Sequence, residues 1–356
     1  MPAESDTTPR TSRAEPLHVD LALQGGGSHG AYTWGVLDRL LEEPWLQIEG
    51  ISGTSAGAMN AAVLVSGYAR DGGAGARRSL EAFWRRVADA ARFSPLRRGF
   101  VDMLMGRWTL DHSPVFAVLD MVARVASPYD LNPASINPLR AILADTIDFE
   151  AVRRSPIKLF TTATRVANGQ SRVFRNADLT PDALLASACL PTLFRAVEID
   201  GEAYWDGGYA GNPTITPLIR ETDSGDTILV QVNPVERVGT PRSAREIINR
   251  VNEIAFNAPL LKELRMMALL HQVADAGSAE GRRWSTMRLH RIHGAKLVTL
   301  GSSSKLNAEW AFLTMLRDEG RRDTEAFLAH DGARLGVSSS FAFEALLEGV
   351  LPGAEQ

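Results

Sequence analysis

Cysteine is nearly absent from this chain, because Cys189 is the single cysteine among 356 residues. One thiol cannot form an internal disulfide and cannot supply a cysteine-rich metal site. Leu190 and Pro191 follow it directly, which favours a small buried apolar residue. The cysteine content fits a reducing compartment, and we expect a soluble, cytoplasmic protein.

Long apolar runs and a strong net charge are also missing. No stretch approaches the roughly 18 apolar residues of a membrane-spanning helix, so none is expected. Residues 1–16 are polar and lack the apolar segment of a secretory signal, which predicts a disordered lead-in. The net charge is −4, so bulk electrostatics give no reason to expect a nucleic-acid partner. The oligomeric state is left open.

Strand patterns alternate with helix patterns along the rest of the chain. This alternation predicts an α/β fold with a mostly parallel sheet covered by helices on both faces, in one domain over residues 17–350. Strands are expected at residues 17–24, 47–51, 156–165, 171–175, 198–205, 227–232 and 296–300. Helices are expected at residues 32–41, 56–69, 79–92, 141–147, 181–189, 244–273 and 307–330, with a kink or break at Pro259. Residues 70–75 and 127–139 are expected to be connections.

A Gly-x-Ser-x-Gly sequence occupies residues 53–57, with Ser55 at its centre. A short strand precedes it and a helix of small apolar residues follows. This context is typical of a turn that holds a serine nucleophile at its tip, with Gly53 and Gly57 leaving room for the backbone. A glycine-rich turn with an incidental serine has the same pattern, so the surrounding motifs have to decide.

A run of glycines follows the first predicted strand. Gly25, Gly26 and Gly27 precede Ser28 and a helix that begins near Gly30. Successive glycines let backbone N–H groups converge on one point, and the positive end of the helix adds to the attraction for an anion. The first two strands of a parallel sheet end at the same edge, so this loop is expected to meet Ser55 there as an oxyanion hole.

The base that would activate Ser55 is not a clear histidine, because no histidine of the chain lies in a sharp motif. Asp206 is the stronger candidate, since it ends a predicted strand and is followed by Gly207 and Gly208. A carboxylate can act as a base when burial raises its pKa. The same three letters occur at Asp71, but that copy follows the helix after Ser55 and is expected at the far edge of the sheet, in a plain loop.

Gly-Gly-Gly-x-x-Gly, Gly-x-Ser-x-Gly and a distant Asp-Gly-Gly occur in this order, and the combination resembles the patatin-like phospholipase family. The resemblance covers roughly residues 17–235. It implies a three-layer α/β/α patatin-type sandwich and a catalytic dyad of Ser55 and Asp206 without histidine. It also implies an acyl-enzyme intermediate, an oxyanion hole formed around residues 25–28, and hydrolysis of lipid esters without a metal or other cofactor. Lipid or acyl-ester substrates and peripheral contact with a membrane are the partners it suggests.

His29 departs from the family pattern, because many members carry Arg or Lys just before the last glycine of the first motif. A histidine keeps a hydrogen-bond donor but is only partly charged near neutral pH. The substitution therefore affects the local electrostatics of the loop rather than its backbone donors.

Two other enzyme classes fit parts of the sequence. Gly25, Gly27 and Gly30 also satisfy the dinucleotide fingerprint, with Glu49 in the place of a ribose-binding acid, which would suit a nicotinamide-dependent oxidoreductase. An ordinary α/β-hydrolase would pair Ser55 with an acid and a later histidine such as His290 or His293. A scaffold without catalytic activity is a third alternative.

Residues 93–126 are the candidate for substrate access. The segment mixes apolar side chains with arginines, which suits an interfacial surface or a lid over an acyl pocket, and a core helix is the competing interpretation. The apolar side chains named for this segment are Phe100, Val101, Met103, Leu104, Met105, Trp108 and Leu110, and the arginines are Arg97, Arg98 and Arg107. A second set suits either an acyl pocket near Asp206 or core packing: Leu184, Leu185, Leu190, Leu193 and Phe194.

Overall fold

The computed structural model describes residues 16–94, 98–99, 102–103, 105–111, 113–122, 125–132, 135, 137–342 and 344–347. The predicted lead-in therefore lies outside the described residues, apart from Pro16, and so do the last residues of the predicted domain. Phe100, Val101, Leu104 and Arg97 of the candidate access segment lie outside them as well.

The strands of the described chain form one eight-stranded sheet. They are β1 Leu17–Leu23, β2 Leu46–Thr54, β3 Lys158–Arg165, β4 Ser171–Arg175, β5 Val197–Ile199, β6 Glu202–Asp206, β7 Asp226–Gln231 and β8 Arg288–His293. Along the sheet the order is β5-β6-β3-β2-β1-β7-β8, and β4 also pairs with β3. The pairs β3–β2–β1–β7–β8 are parallel, whereas β4, β5 and β6 join in antiparallel pairs.

Helices connect the parallel strands and cover the sheet. They are α1 Gly30–Leu40, α2 Ala56–Ala90, α3 Pro114–Val122, α4 Pro128–Leu131, α5 Pro138–Thr146, α6 Phe149–Arg153, α7 Pro181–Ser187, α8 Thr216–Glu221, α9 Ala244–Val273, α10 Ala279–Thr286, α11 Ala295–Val298 and α12 Trp310–His330.

Side chains alternate between the two faces of the sheet and so build two separate cores. Leu21 and Leu23 of β1 point into the larger core, which contains residues of α1, α2 and α12. Ala22 and Leu229 point the other way, into a core shared with α8, α9 and α10. The predicted three-layer α/β/α arrangement with a mostly parallel sheet is confirmed.

The last strand was predicted in the wrong place. Residues 296–300 were expected to be a strand, but α11 covers most of them and β8 lies just before it. The sequence of β8 carries two arginines and two histidines, which hide its apolar positions. The structure gives partners to two of them, because Arg288 and buried His290 both bind the carboxylate of Asp226 on the adjacent strand.

The predicted interruption after residue 69 is present in a shorter form. Asp71 and Gly72 are not helical and divide α2 into two helical parts, so the expected loop over residues 70–75 is reduced to these two residues. Helix α9 runs continuously from Ala244 to Val273 with Pro259 inside it. Residues 127–139, expected to be a connection, contain the short helix α4.

The core interpretation of the second leucine set is confirmed in part. Leu184 and Leu185 belong to the main core. Leu193 is exposed, and Leu190 and Phe194 are half-buried in the turn after α7. None of the helices that the structure describes combines the length and the apolar character that crossing a bilayer would require.

Candidate active site

Ser55 lies in a sharp turn between β2 and α2. Strand β2 ends at Thr54 and the helix begins at Ala56, so a single residue changes the direction of the chain. Ser55 has φ 53° and ψ −122°, a backbone conformation that residues other than glycine rarely adopt. A Cβ on Gly57 would lie 2.2 Å from the carbonyl oxygen of Leu23, so only glycine allows the new helix to pass so close to β1.

The backbone of the turn is held by hydrogen bonds from neighbouring segments. The N–H of Ser55 donates to Oγ of Ser187, at the end of α7, over 2.8 Å. The hydroxyl of Thr54 donates to the carbonyl of Gly211 over 2.7 Å. Ser55 is 9% exposed, so its side chain retains a narrow access to solvent while its backbone is fixed.

Asp206 lies beside this turn, at the end of β6. The strand runs antiparallel to β3 and pairs Asp206 with Ala163, one residue beyond the pair formed by Thr54 and Thr162. The predicted location near Ser55 is therefore correct, although the strand that carries Asp206 runs in the opposite direction to the parallel strands. Gly207 and Gly208 form the turn that follows.

The carboxylate of Asp206 is almost completely buried, at 1% exposed. Burial raises its pKa from the ordinary value of 3.8 to about 7. The N–H of Gly208, which donates to Oδ1 over 2.7 Å, opposes this rise, and so do the Ser55 hydroxyl and the charge of Lys305. The Ser55 hydroxyl thus interacts with a carboxylate whose pKa lies near neutral pH.

The glycine loop lies against Ser55 from the other side. A Cβ on Gly25 would lie 2.8 Å from the Cβ of Ser55. Gly27 has φ 59° and would clash, with any side chain, against the carbonyl oxygen of Lys305. Gly30 begins α1, as the sequence predicts.

The structure corrects the expected role of Gly25. Its N–H donates to Oδ1 of Asn212 over 2.7 Å, so it is not free to bind an oxyanion. The N–H groups of Gly26, Gly27 and Ser28 have no acceptor among the residues that the structure describes. They are the donors that the loop can offer.

His29 is neutral rather than partly charged. It is buried, and burial together with the charges of Lys305 and Arg237 lowers its pKa to about 3. Its Nε2 lies 2.8 Å from Oγ of Ser304. Position 29 therefore supplies no cation to the loop.

The residues of the two alternative enzyme classes lie elsewhere. Glu49 binds the N–H of Asp223, which precedes β7, and so lies at the edge of the sheet opposite the glycine loop. The ring nitrogens of His290 contact Asp226 and Ser340 rather than Ser55. His293 ends β8, and the nearby charges that act on its pKa are those of Arg291 and Asp323.

Several polar residues at the site are missing from the sequence-based set. Ser187 and Asn212 hold the backbone of Ser55 and Gly25, and Asn233 and Lys305 support the glycine loop. The two asparagines carry a weak signal, since each precedes a proline directly after a motif or strand. Lys305 carries none, because it lies in a short 3₁₀ segment far along the chain.

Comparison with known proteins gives one family and a few distant structures. The family model described as "Patatin-like phospholipase" matches residues 21–219. A comparison with curated proteins found no match.

Two solved structures are similar in part. VipD from Legionella pneumophila is 17% identical with a TM-score of 0.37, and the match covers 87% of this chain and 67% of VipD. The ExoU–SpcU complex from Pseudomonas aeruginosa gives 18% identity and a TM-score of 0.27, with 94% of this chain and 66% of that chain covered. The chain thus spans about two thirds of these longer chains.

Proposed function

The chain belongs to the patatin-like phospholipase family, and we propose that it hydrolyses the acyl esters of lipids with Ser55 as nucleophile and Asp206 as general base. The observation that supports this proposal is that the Ser55 hydroxyl lies next to the Asp206 carboxylate. A strained turn presents the Ser55 hydroxyl to a buried carboxylate whose pKa is raised to about 7. A base with a pKa near the working pH combines a useful ionised fraction with enough basicity to take the proton.

The proposed reaction has two steps. Asp206 takes the hydroxyl proton while Oγ of Ser55 attacks the ester carbonyl, and the carbonyl oxygen becomes an oxyanion facing the N–H groups of Gly26, Gly27 and Ser28. The ester bond breaks, and Asp206 returns the proton to the leaving alcohol. Water then attacks the acyl-serine with Asp206 again as base, which releases the fatty acid and restores the serine.

Labelling with a fluorophosphonate probe tests the two assignments. We expect the wild type to be labelled, Ser55→Ala to be silent and Asp206→Asn to react at least about a hundredfold more slowly, because general-base assistance contributes roughly 10²–10⁴-fold. The chain offers matched controls in Ser171→Ala, at an exposed serine, and in Asp71→Asn, in the other Asp-Gly-Gly sequence. Equal labelling of the wild type and Ser55→Ala would contradict the proposal.

We also propose that the region around α3 contacts the surface of a lipid aggregate. Of the apolar side chains named for this segment, Met103 and Met105 are exposed, whereas Leu110 is buried and Trp108 packs against the main core, so the core interpretation holds for these two. Helix α3 adds three exposed apolar side chains: Val115, Val118 and Met121. Val115, Val118 and Met121 follow one another at helical spacing and share a face. The preceding residues bind the 302–306 segment, where Leu110 N–H donates to Ser303 Oγ over 3.0 Å, so the apolar helix is tied to the neighbourhood of the glycine loop.

A further inference from the structure

The glycine loop at residues 25–30 contains no positively charged side chain of its own. An oxyanion is stabilised most by donors that are polarised in advance and aimed at it. His29, the one titratable side chain of the loop, is buried and neutral. Its Nδ1 has no hydrogen-bond partner among the described residues.

Lys305 brings a cation to the same loop from the segment Ser302–Leu306. Its backbone oxygen would lie 2.5 Å from a Cβ on Gly27, so the two segments are in direct contact. The residue as a whole is half-buried, and its ammonium group is surrounded by protein. Among the described residues, no ion pair within 4.0 Å involves that ammonium group. Glu253, whose charge acts on it, is bound by Arg237 and Arg250.

The ammonium group reaches the loop through one asparagine. Nζ of Lys305 donates to Oδ1 of Asn233 over 2.6 Å. Nδ2 of the same amide donates to the carbonyl of Gly25 over 2.6 Å. Asn233 is buried, and its backbone N–H donates to Oε1 of Gln24 over 2.8 Å, which holds the backbone of the residue in place.

The carbonyl of Gly25 and the N–H of Gly26 belong to the same peptide unit. That peptide is trans, so the two groups point in opposite directions, and a donor bound to the carbonyl strengthens the N–H on the other side. The hydrogen bonds from Lys305 to Asn233 and from Asn233 to this peptide align the amide dipoles head to tail. The positive charge of Lys305 lies at the start of this series. It ends at the N–H of Gly26, which has no acceptor among the described residues.

We propose that Lys305 is a positioning residue for the oxyanion hole, which acts through Asn233 and the Gly25–Gly26 peptide and supplies the positive charge that the loop itself lacks. The inference rests on the proposed function, because it assigns a role within the same reaction. The charge acts where the transition state becomes negative, so it lowers the barrier rather than strengthening ground-state binding.

The same charge sets the pH range of the reaction. The groups that face the ammonium are Asn233, Glu253, Arg237 and Asp206, and burial with the charge of Arg237 lowers its pKa to about 8. The Lys305 charge in turn lowers the pKa of Asp206. The pH profile of kcat/KM is therefore expected to be bell-shaped, with an acid limb near 7 from Asp206 and an alkaline limb near 8 from Lys305.

Kinetics of Lys305→Met and Lys305→Arg on a short-chain p-nitrophenyl ester test this assignment, with Lys296→Met as the control at an exposed lysine on α11. We expect Lys305→Met to lower kcat about 10- to 100-fold with little change in KM, less than the full loss of one oxyanion donor. Its acid limb should move to higher pH. Lys305→Arg keeps the charge, so it should retain most of the activity below pH 8 and lose the alkaline limb.

Asn233→Ala supplies an independent test, because it removes the amide that joins Lys305 to the carbonyl of Gly25 without adding a charge. It should reproduce the loss in kcat, and the double variant with Lys305→Met should lose little more than either single change. Thermal unfolding of each variant identifies those that fail to fold. Folded Lys305→Met with unchanged kcat and an unchanged pH profile would overturn the role of Lys305, whereas an active Ser55→Ala would overturn the proposed function itself.

Discussion

At the scale of single residues, Asp206 combines a chemical requirement with a cost in stability. Its side chain is buried beside Ser55, and its pKa in the folded protein is about 7. The ordinary value, which applies to the unfolded chain, is 3.8. Between pH 3.8 and about 7, Asp206 is therefore protonated in the folded state but ionised in the unfolded chain. The stability of the wild type therefore falls as the pH rises through this window and stays low above it.

Asp206→Asn removes this cost, since an amide does not ionise and its oxygen can still accept from Gly208. We expect the free energy of unfolding in urea to rise by on the order of 2 kcal/mol at pH 8, with the gain disappearing near pH 4. The comparison with Asp71→Asn, at an exposed carboxylate, shows what an ordinary surface change does. If Asp206→Asn is less stable than the wild type at pH 8, burial of the ionised Asp206 carboxylate does not destabilise the folded protein.

At the scale of secondary-structure elements, helix α3 exposes apolar side chains on one face, and α9 does so as well, with Val251 and Ile254 exposed. Val118 is 55% exposed and Met121 is 61% exposed. A helix of this kind gains free energy when the exposed face enters the boundary of a lipid aggregate, in proportion to the apolar area buried.

Val118→Asp is expected to lower the fraction of protein that sediments with phosphatidylcholine–phosphatidylglycerol vesicles several-fold, because a carboxylate at this site would have to leave water. Hydrolysis of vesicle lipid should fall more than hydrolysis of a short soluble ester. Val337→Asp, at another exposed valine near the end of the described chain, is the matched control. Equal vesicle binding by both variants would contradict the proposal that the exposed face of α3 contacts lipid.

At the scale of the whole molecule, the fold and the two central residues could be predicted from local patterns. Alternating strands and helices fixed the α/β class, and the three glycine motifs placed Ser55 and Asp206 at one edge of the sheet. Strand β8 could not be predicted in the same way. Two of its polar side chains, Arg288 and His290, bind Asp226 on the neighbouring strand, a contact between residues far apart in the sequence.

The supporting residues of the site escaped sequence reasoning for the same reason. Asn212 and Asn233 each form a hydrogen bond with Gly25, more than half the chain away, and Lys305 donates to Asn233. Gly25 was assigned as an oxyanion donor because a glycine run suggests free N–H groups, and only the fold shows that Asn212 occupies this one. The single-domain organisation stays a prediction.

The central claim is that Ser55 forms an acyl-enzyme. The most direct measurement is mass spectrometry of peptides from protein quenched during the first turnover of an activated p-nitrophenyl ester. We expect an acyl group on the peptide that contains Ser55 and a burst of nitrophenol equal to the enzyme concentration. Neither signal is expected in Ser55→Ala. An acyl group on another residue, or an unchanged burst in Ser55→Ala, would contradict it.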